Sequence, residues 1–127
     1  MDELSTTMRL HLWFETDDGM ILGLGRARLL ALVAETGSLN KAAKAMGMSY
    51  RAAWGRIKKT EAVLGEPLLE KEGGRKGFTL NEKGKRLVQT FQTLHADIEQ
   101  YALEQARTRL QWDIQPFKDA TYDDPDN

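Results

Sequence analysis

Cysteine is absent from the chain, so neither disulfides nor a thiolate metal site can hold it together, and a secreted disulfide scaffold is excluded. Histidine is scarce as well. His11 and His95 each lack a companion ligand four residues away, which argues against a metal site. No HExxH, GxSxG or GxxxxGKS/T phosphate loop occurs, and Gly23-Leu24-Gly25 misses the third glycine of a dinucleotide fingerprint because Arg28 stands there. Catalysis is therefore the weakest reading, and no cofactor is expected. Long apolar runs are missing too: the longest, Leu29 to Ala34, is far short of the ~20 residues that cross a bilayer. Asp2 and Glu3 occupy the place where a signal peptide would carry positive charge. The expectation is no membrane partner and a cytoplasmic location.

At 127 residues the chain has room for one modest core with an appendage. Its net charge of -1 conceals strong segregation. Residues 26–86 hold 14 basic and 6 acidic side chains, residues 1–25 hold 1 and 5, and residues 87–127 hold 3 and 8. A basic middle attracts phosphate through counterion release, while acidic flanks limit non-specific association and orient the encounter. The plainer alternative is a solvated cationic face on an ordinary helix pair.

The basic middle contains TGSLNKAAKAMGMSYRAAWGRIKKTEAVLG, residues 36–65. Ser38 is placed to cap a helix, and Ala42, Ala43 and Met46 recur on one of its faces. Gly47, four residues after Ala43, suits a tight turn in which a small residue lets a second helix pass close by. Ser49 caps that second helix. Ala53, Ile57 and Leu64 can face inward along it, whereas Tyr50, Arg51, Arg56, Lys58 and Lys59 must look outward. From Ser38 to Lys59 there are six basic residues and no acidic ones. The pattern predicts a helix-turn-helix with a cationic second helix.

Upstream, Met8 to Glu15 reads as a strand and Asp17-Asp18-Gly19 as a turn rather than an ion site, followed by a short run from Met20 to Leu24. Gly25 to Glu35 carries Leu29, Leu30, Leu32 and Val33 and is closed by Gly37, which predicts a first helix. Downstream, Gly65 and Pro67 stop the second helix of the pair. Leu68 to Lys71 and Phe78 to Leu80 are strand candidates around a glycine-rich tip bearing Arg75 and Lys76. Such a hairpin is either a wing that touches a nucleic-acid backbone or a structural loop. Asn81 can cap a last helix from about Glu82 to about Leu110, some 40 Å long at 1.5 Å per residue. Its apolar residues Leu87, Phe91, Leu94, Ile98 and Tyr101 alternate by four and three, the spacing of a coiled-coil seam, which Gln105 interrupts. That stripe either packs on the chain's own core or, preferably, pairs two copies. The tail beyond Asp113, rich in proline and aspartate, is expected to be loose.

The segments ETGSLNKAAKAMGMSYRAAWGRI, LGEPLLEKEGGRKGFTLNEKGKRL and MRLHLWFE together resemble the N-terminal DNA-binding region of the molybdate-responsive ModE-type regulators, from Met8 to about Leu110. From Arg26 to Leu87 the chain is also similar to the broader LysR-type winged helix. The resemblance implies double-stranded DNA as a partner, pairing of two copies through the long helix, and a palindromic operator. The oxyanion-binding region of ModE-type regulators has no counterpart in this sequence, so no molybdate site is expected.

The expected fold is therefore mainly α with small β-hairpins, a winged helix-turn-helix with a long C-terminal dimerisation helix. Its divisions are an N-terminal tail and hairpin (1–25), the winged helix-turn-helix (26–86), the long helix (87–113) and an acidic tail (114–127). The resemblance and the helical reading put the helix beginning at Ser49 in the major groove, with Tyr50 and Arg51 nearest the base edges. Arg51 is the best candidate for guanine, since its planar fork fits the O6/N7 pair. Arg56 belongs to the same cationic face. Lys58 and Lys59 are expected at phosphates, Ser38 and Asn40 at a phosphate through a helix N-terminus, and Lys41 and Lys44 as added charge. Trp54 lies between the buried and exposed faces and serves packing or base contact, packing preferred. Besides a dimeric regulator, a winged-helix interaction module that pairs with a longer regulator remains open.

Overall fold

The computed structural model describes residues 4–71 and 77–118. Along the chain run β1 (Ser5–Met8), β2 (Trp13–Thr16), β3 (Gly19–Gly23), α1 (Leu24–Thr36), α2 (Leu39–Ala45), α3 (Tyr50–Leu64), β4 (Leu69–Lys71), β5 (Phe78–Leu80), α4 (Glu82–Leu110) and β6 (Asp113–Pro116). Helices α2, α3 and α4 begin at capping side chains. Ser38 Oγ accepts from the Lys41 N–H at 3.2 Å, Ser49 Oγ from Ala52 at 3.0 Å, and Asn81 Oδ1 from Gly84 at 2.8 Å. Each satisfies one of the backbone donors that a helix leaves free at its start. Between α2 and α3 the chain turns at Gly47, whose φ of 69° lies in the left-handed region that side chains disfavour.

Small residues bring the helix pair together. Ala42, Ala43 and Ala53 are essentially unexposed, and they join Leu29, Leu30 and Val33 of α1 and Ile57 of α3 in one core. Leu68, Leu69 and Leu80 roof it from the antiparallel β4–β5 hairpin, in which Leu69 faces Leu80 and Lys71 faces Phe78. This hairpin is the wing. Asn81 fastens α4 to it a second time, its Nδ2 donating to the Pro67 carbonyl at 2.9 Å.

Helix α4 crosses the wing at close range through Gly84. A Cβ there would lie 2.6 Å from Leu80 Cγ and 3.0 Å from the Leu68 carbonyl oxygen. Although alanine is the better helix former, Gly84→Ala is expected to destabilise the fold by about 1–3 kcal/mol through overpacking. Urea denaturation checks this, and a variant more stable than the wild type would contradict it.

Two expectations are corrected at the ends of the chain. The single strand expected over Met8 to Glu15 is two: β1 ends at Met8, and β2 begins at Trp13 to form an antiparallel hairpin with β3 around Asp17-Asp18. The tail beyond Asp113 reads as loose, yet Asp113–Pro116 pairs in parallel with Ser5–Met8 and Ile114 is 3% exposed. Arg107 holds this strand against α4, donating from Nε and Nη2 to the Ile114 carbonyl at 2.9 and 2.6 Å. Residues 119–127 lie outside the described residues.

Helix α4 runs as far as the sequence predicted, but its apolar stripe is divided. Phe91 is only 2% exposed and meets the Phe14 ring edge-on at 6.3 Å, while Leu87 packs against the same core. Phe91 therefore serves the chain's own interior, a correction to the continuous seam expected from spacing alone. Leu94 and Tyr101 remain open at 39% and 65% exposure, and Ile98 is half-buried between them. Leu87, Val88 and Phe91 of α4 fill the core, and further along the helix Leu103 is buried at 4% exposure while Leu94 and Tyr101 are not.

Candidate nucleic-acid interface

The exposed side of α3 follows from its helical period. Ala53, Ile57, Thr60 and Glu61 turn inward, leaving Tyr50, Arg51, Gly55 and Lys59 exposed. Arg51, Gly55 and Lys59 succeed one another at intervals of four and so lie on one face. On α2, Asn40, Lys41 and Lys44 are also exposed. Ser38 is half-buried, with its hydroxyl already engaged as the α2 cap. Arg75 and Lys76, the charges expected at the wing tip, lie outside the described residues.

Three cations sit differently from a simple outward array. Lys58 Nζ pairs with Glu61 Oε1 at 2.9 Å and stands 4.5 Å from the Trp54 ring centroid, so its charge is already partnered. Arg56 is half-buried along the other flank, with Nη1 3.9 Å from Met48 Sδ. Lys59 lays its aliphatic chain against the β2–β3 turn, its Cε 3.3 Å from where a Cβ on Gly19 would sit. Aromatic rings line the wing side of α3. Tyr50 stacks with Trp54 at 6.4 Å between centroids, Trp54 lies 4.8 Å from Phe78, and a shallow apolar cleft opens among these three and Arg51. Trp54 thus has packing partners on both sides.

Arg26 and Glu61 matter to this face although neither was singled out in the sequence. Arg26 counts toward the basic surplus but is 1% exposed, so its charge is not presented to solvent. Its Nη1 donates to the Arg56 carbonyl at 3.1 Å and to Thr60 Oγ1 at 2.7 Å, and Thr60 in turn donates to the Ile21 carbonyl at 2.8 Å. One relay thereby fixes α3 against α1 and β3.

Glu61 does the same toward the wing. Its Oε2 accepts from the Leu68 and Leu69 N–H groups at 2.7 and 3.0 Å, and Oε1 holds Lys58. Burial pushes this carboxyl up, but the Leu68 N–H, Lys58, and the Leu69 N–H together outweigh it and hold the pKa below its ordinary value. A carboxylate in the middle of a basic segment reads as a chance interruption; here it is the only acid of α3 and it is turned inward.

No group of three or more histidine, cysteine or acidic side chains suited to a metal occurs among the described residues, and no described helix is long and apolar enough to cross a membrane. Taken together, a glycine-turned helix pair, a β-hairpin beside the second helix and a long closing helix define a winged helix-turn-helix.

Residues 24–85 match the family model described as bacterial regulatory helix-turn-helix protein, lysR family. The chain is 35% identical over 121 residues to the molybdenum transport protein ModE of Azotobacter vinelandii, covering 90% of this chain and 44% of that one. It is also 35% identical over 82 residues to the DNA-binding transcriptional dual regulator ModE of Escherichia coli K12, covering 62% of this chain and 31% of that one. The chain therefore spans less than half the length of these relatives. The fold is similar to the DNA-binding domain of BenM in its complex with benA site 1 DNA, with a TM-score of 0.54 and 24% identity over 68% of this chain and 96% of that one. The DNA-binding domain of CbnR in its DNA complex has a TM-score of 0.53, also at 24% identity, over 67% of this chain and 97% of that one.

Proposed function

We propose that this chain is a sequence-specific DNA-binding transcriptional regulator that acts in the cytoplasm as a homodimer on a palindromic operator. Helix α3 enters the major groove, and the wing lies on the backbone or in the minor groove. The observation that carries this reading is the charge of α3: its cations reach the surface or its flanks while its one carboxylate is buried. A solvated helix would gain from surface carboxylates spaced to pair with its lysines, whereas a helix facing phosphates loses by them. Tyr50 and Arg51 meet base edges, and Lys41, Lys44 and Lys59 supply phosphate contacts. The relatives named as ModE regulators support the same reading.

The second copy is placed on the exposed flank of α4. Leu94, Ile98 and Tyr101 sit at intervals of four and three, and only Ile98 is half-buried within one chain. Leu94→Glu is expected to give a monomer by mass measurement in solution and to remove binding to a two-half-site duplex; a dimer of unchanged affinity would place the interface elsewhere. Paired copies put the two α3 helices at half-sites about one helical turn apart, ~34–36 Å.

Selection of bound duplexes from a random library tests the proposal as a whole. Enrichment of a two-fold symmetric motif is the expected result. A stable dimer that enriches nothing would leave the fold serving as a protein-docking module.

A further inference from the structure

We propose that Gly55 is where α3 comes closest to the duplex, and that its missing side chain is a determinant of operator specificity. This rests on the DNA-reading role of α3. Glycine is the least favourable helix residue after proline, and Gly55 stands in the middle of a 15-residue helix. Among the described residues, nothing asks for it. Its φ is not positive, and a Cβ built there meets no atom of the described residues within 4 Å. Gly84 of α4 is the contrast, because a Cβ there would strike Leu80 at 2.6 Å. One glycine is required by a neighbour within the fold, and the other faces open space.

What faces that open space is specified by charge. Gly55 lies four residues after Arg51 and four before Lys59, on the same exposed face, and the carboxylate of α3 is buried against the Leu68 and Leu69 N–H groups. A surface of that sign fits the phosphate-lined major groove. The groove is about 12 Å wide and a helix with its side chains about 10–12 Å across, so the fit leaves little room at the deepest point. With no side chain at Gly55, the helix backbone can seat against a base-pair edge while Arg51 reaches along the groove from the preceding turn. A long side chain there would lift the helix off the bases while leaving the phosphate contacts at its margins.

The test compares wild type, Gly55→Ala and Gly55→Gln as full chains. Each is melted thermally and titrated against the duplex enriched by the wild type and a scrambled duplex. Both variants should melt above the wild type by a few degrees, as expected of better helix formers at an unhindered site. Gly55→Gln should lose at least tenfold on the enriched duplex while holding its affinity for the scrambled one, with a smaller loss for Gly55→Ala. A Gly55→Gln protein that discriminates as well as the wild type would overturn the inference, as would variants that melt lower, which would return the glycine to the fold. A wild type unable to discriminate the duplexes would overturn the reading of α3 itself, and this inference with it.

Discussion

Arg51→Ala should weaken binding to the proper operator by about 1–3 kcal/mol, roughly 5- to 150-fold, and relax base preference at one position of each half-site. Arg51 is exposed on the first turn of α3, beside Tyr50, and its five donors in a fixed plane match a guanine edge. Lys44 is the comparison, since it is exposed on the preceding helix. Lys44→Ala should weaken enriched and scrambled duplexes alike and lower the salt slope by about one. Titration of both variants at several salt concentrations separates the roles. An Arg51→Ala protein that loses equally on the two duplexes would remove base reading from this residue.

Glu61→Ala should cost stability on a similar or larger scale, about 2–5 kcal/mol. Leu68 is unexposed and Leu69 is 7% exposed, so removing the carboxylate strands two buried N–H groups at about 1–3 kcal/mol each. The wing would lose its tie to α3, so DNA affinity should fall as well. Acidity acts through the same group. Its pKa is lowered in the folded chain, so its contribution is complete above the ordinary carboxylate pKa of about 4.3 and is lost as pH falls through the depressed folded value. Denaturant melts of wild type and Glu61→Gln between neutral and strongly acid pH check this: the wild type should lose stability faster on acidification, and equal acid dependence would contradict the assigned role.

Local chemistry was legible in the sequence and distant chemistry was not. Ser38, Ser49 and Asn81 announce their helices because a cap acts within three residues, and Gly47 and Gly65 mark turns for the same reason. The exposure of Arg51 follows from the period of α3 alone. Arg26 reads as one more surface cation because its partners Arg56 and Thr60 lie 30 and 34 residues away. Glu61 depends on where the chain returns after Pro67. The pairing of Ser5 with Asp113 joins opposite ends of the chain, and no window of sequence contains both. Phe91 matched the heptad spacing, but spacing does not distinguish a helix face covered by its own hairpin, here by Phe14, from one left for a partner. Lys58 likewise reads as a phosphate contact by position, while its ammonium group pairs with Glu61, one turn along.

The account turns on base reading by α3, and a titration of the wild-type chain against its enriched duplex and a scrambled one, from low to near-physiological salt, tests it most directly. The enriched duplex should bind at least about a thousandfold more tightly near physiological salt, with both affinities falling as salt rises. Equal affinity for the two duplexes, or binding indifferent to salt, would contradict it.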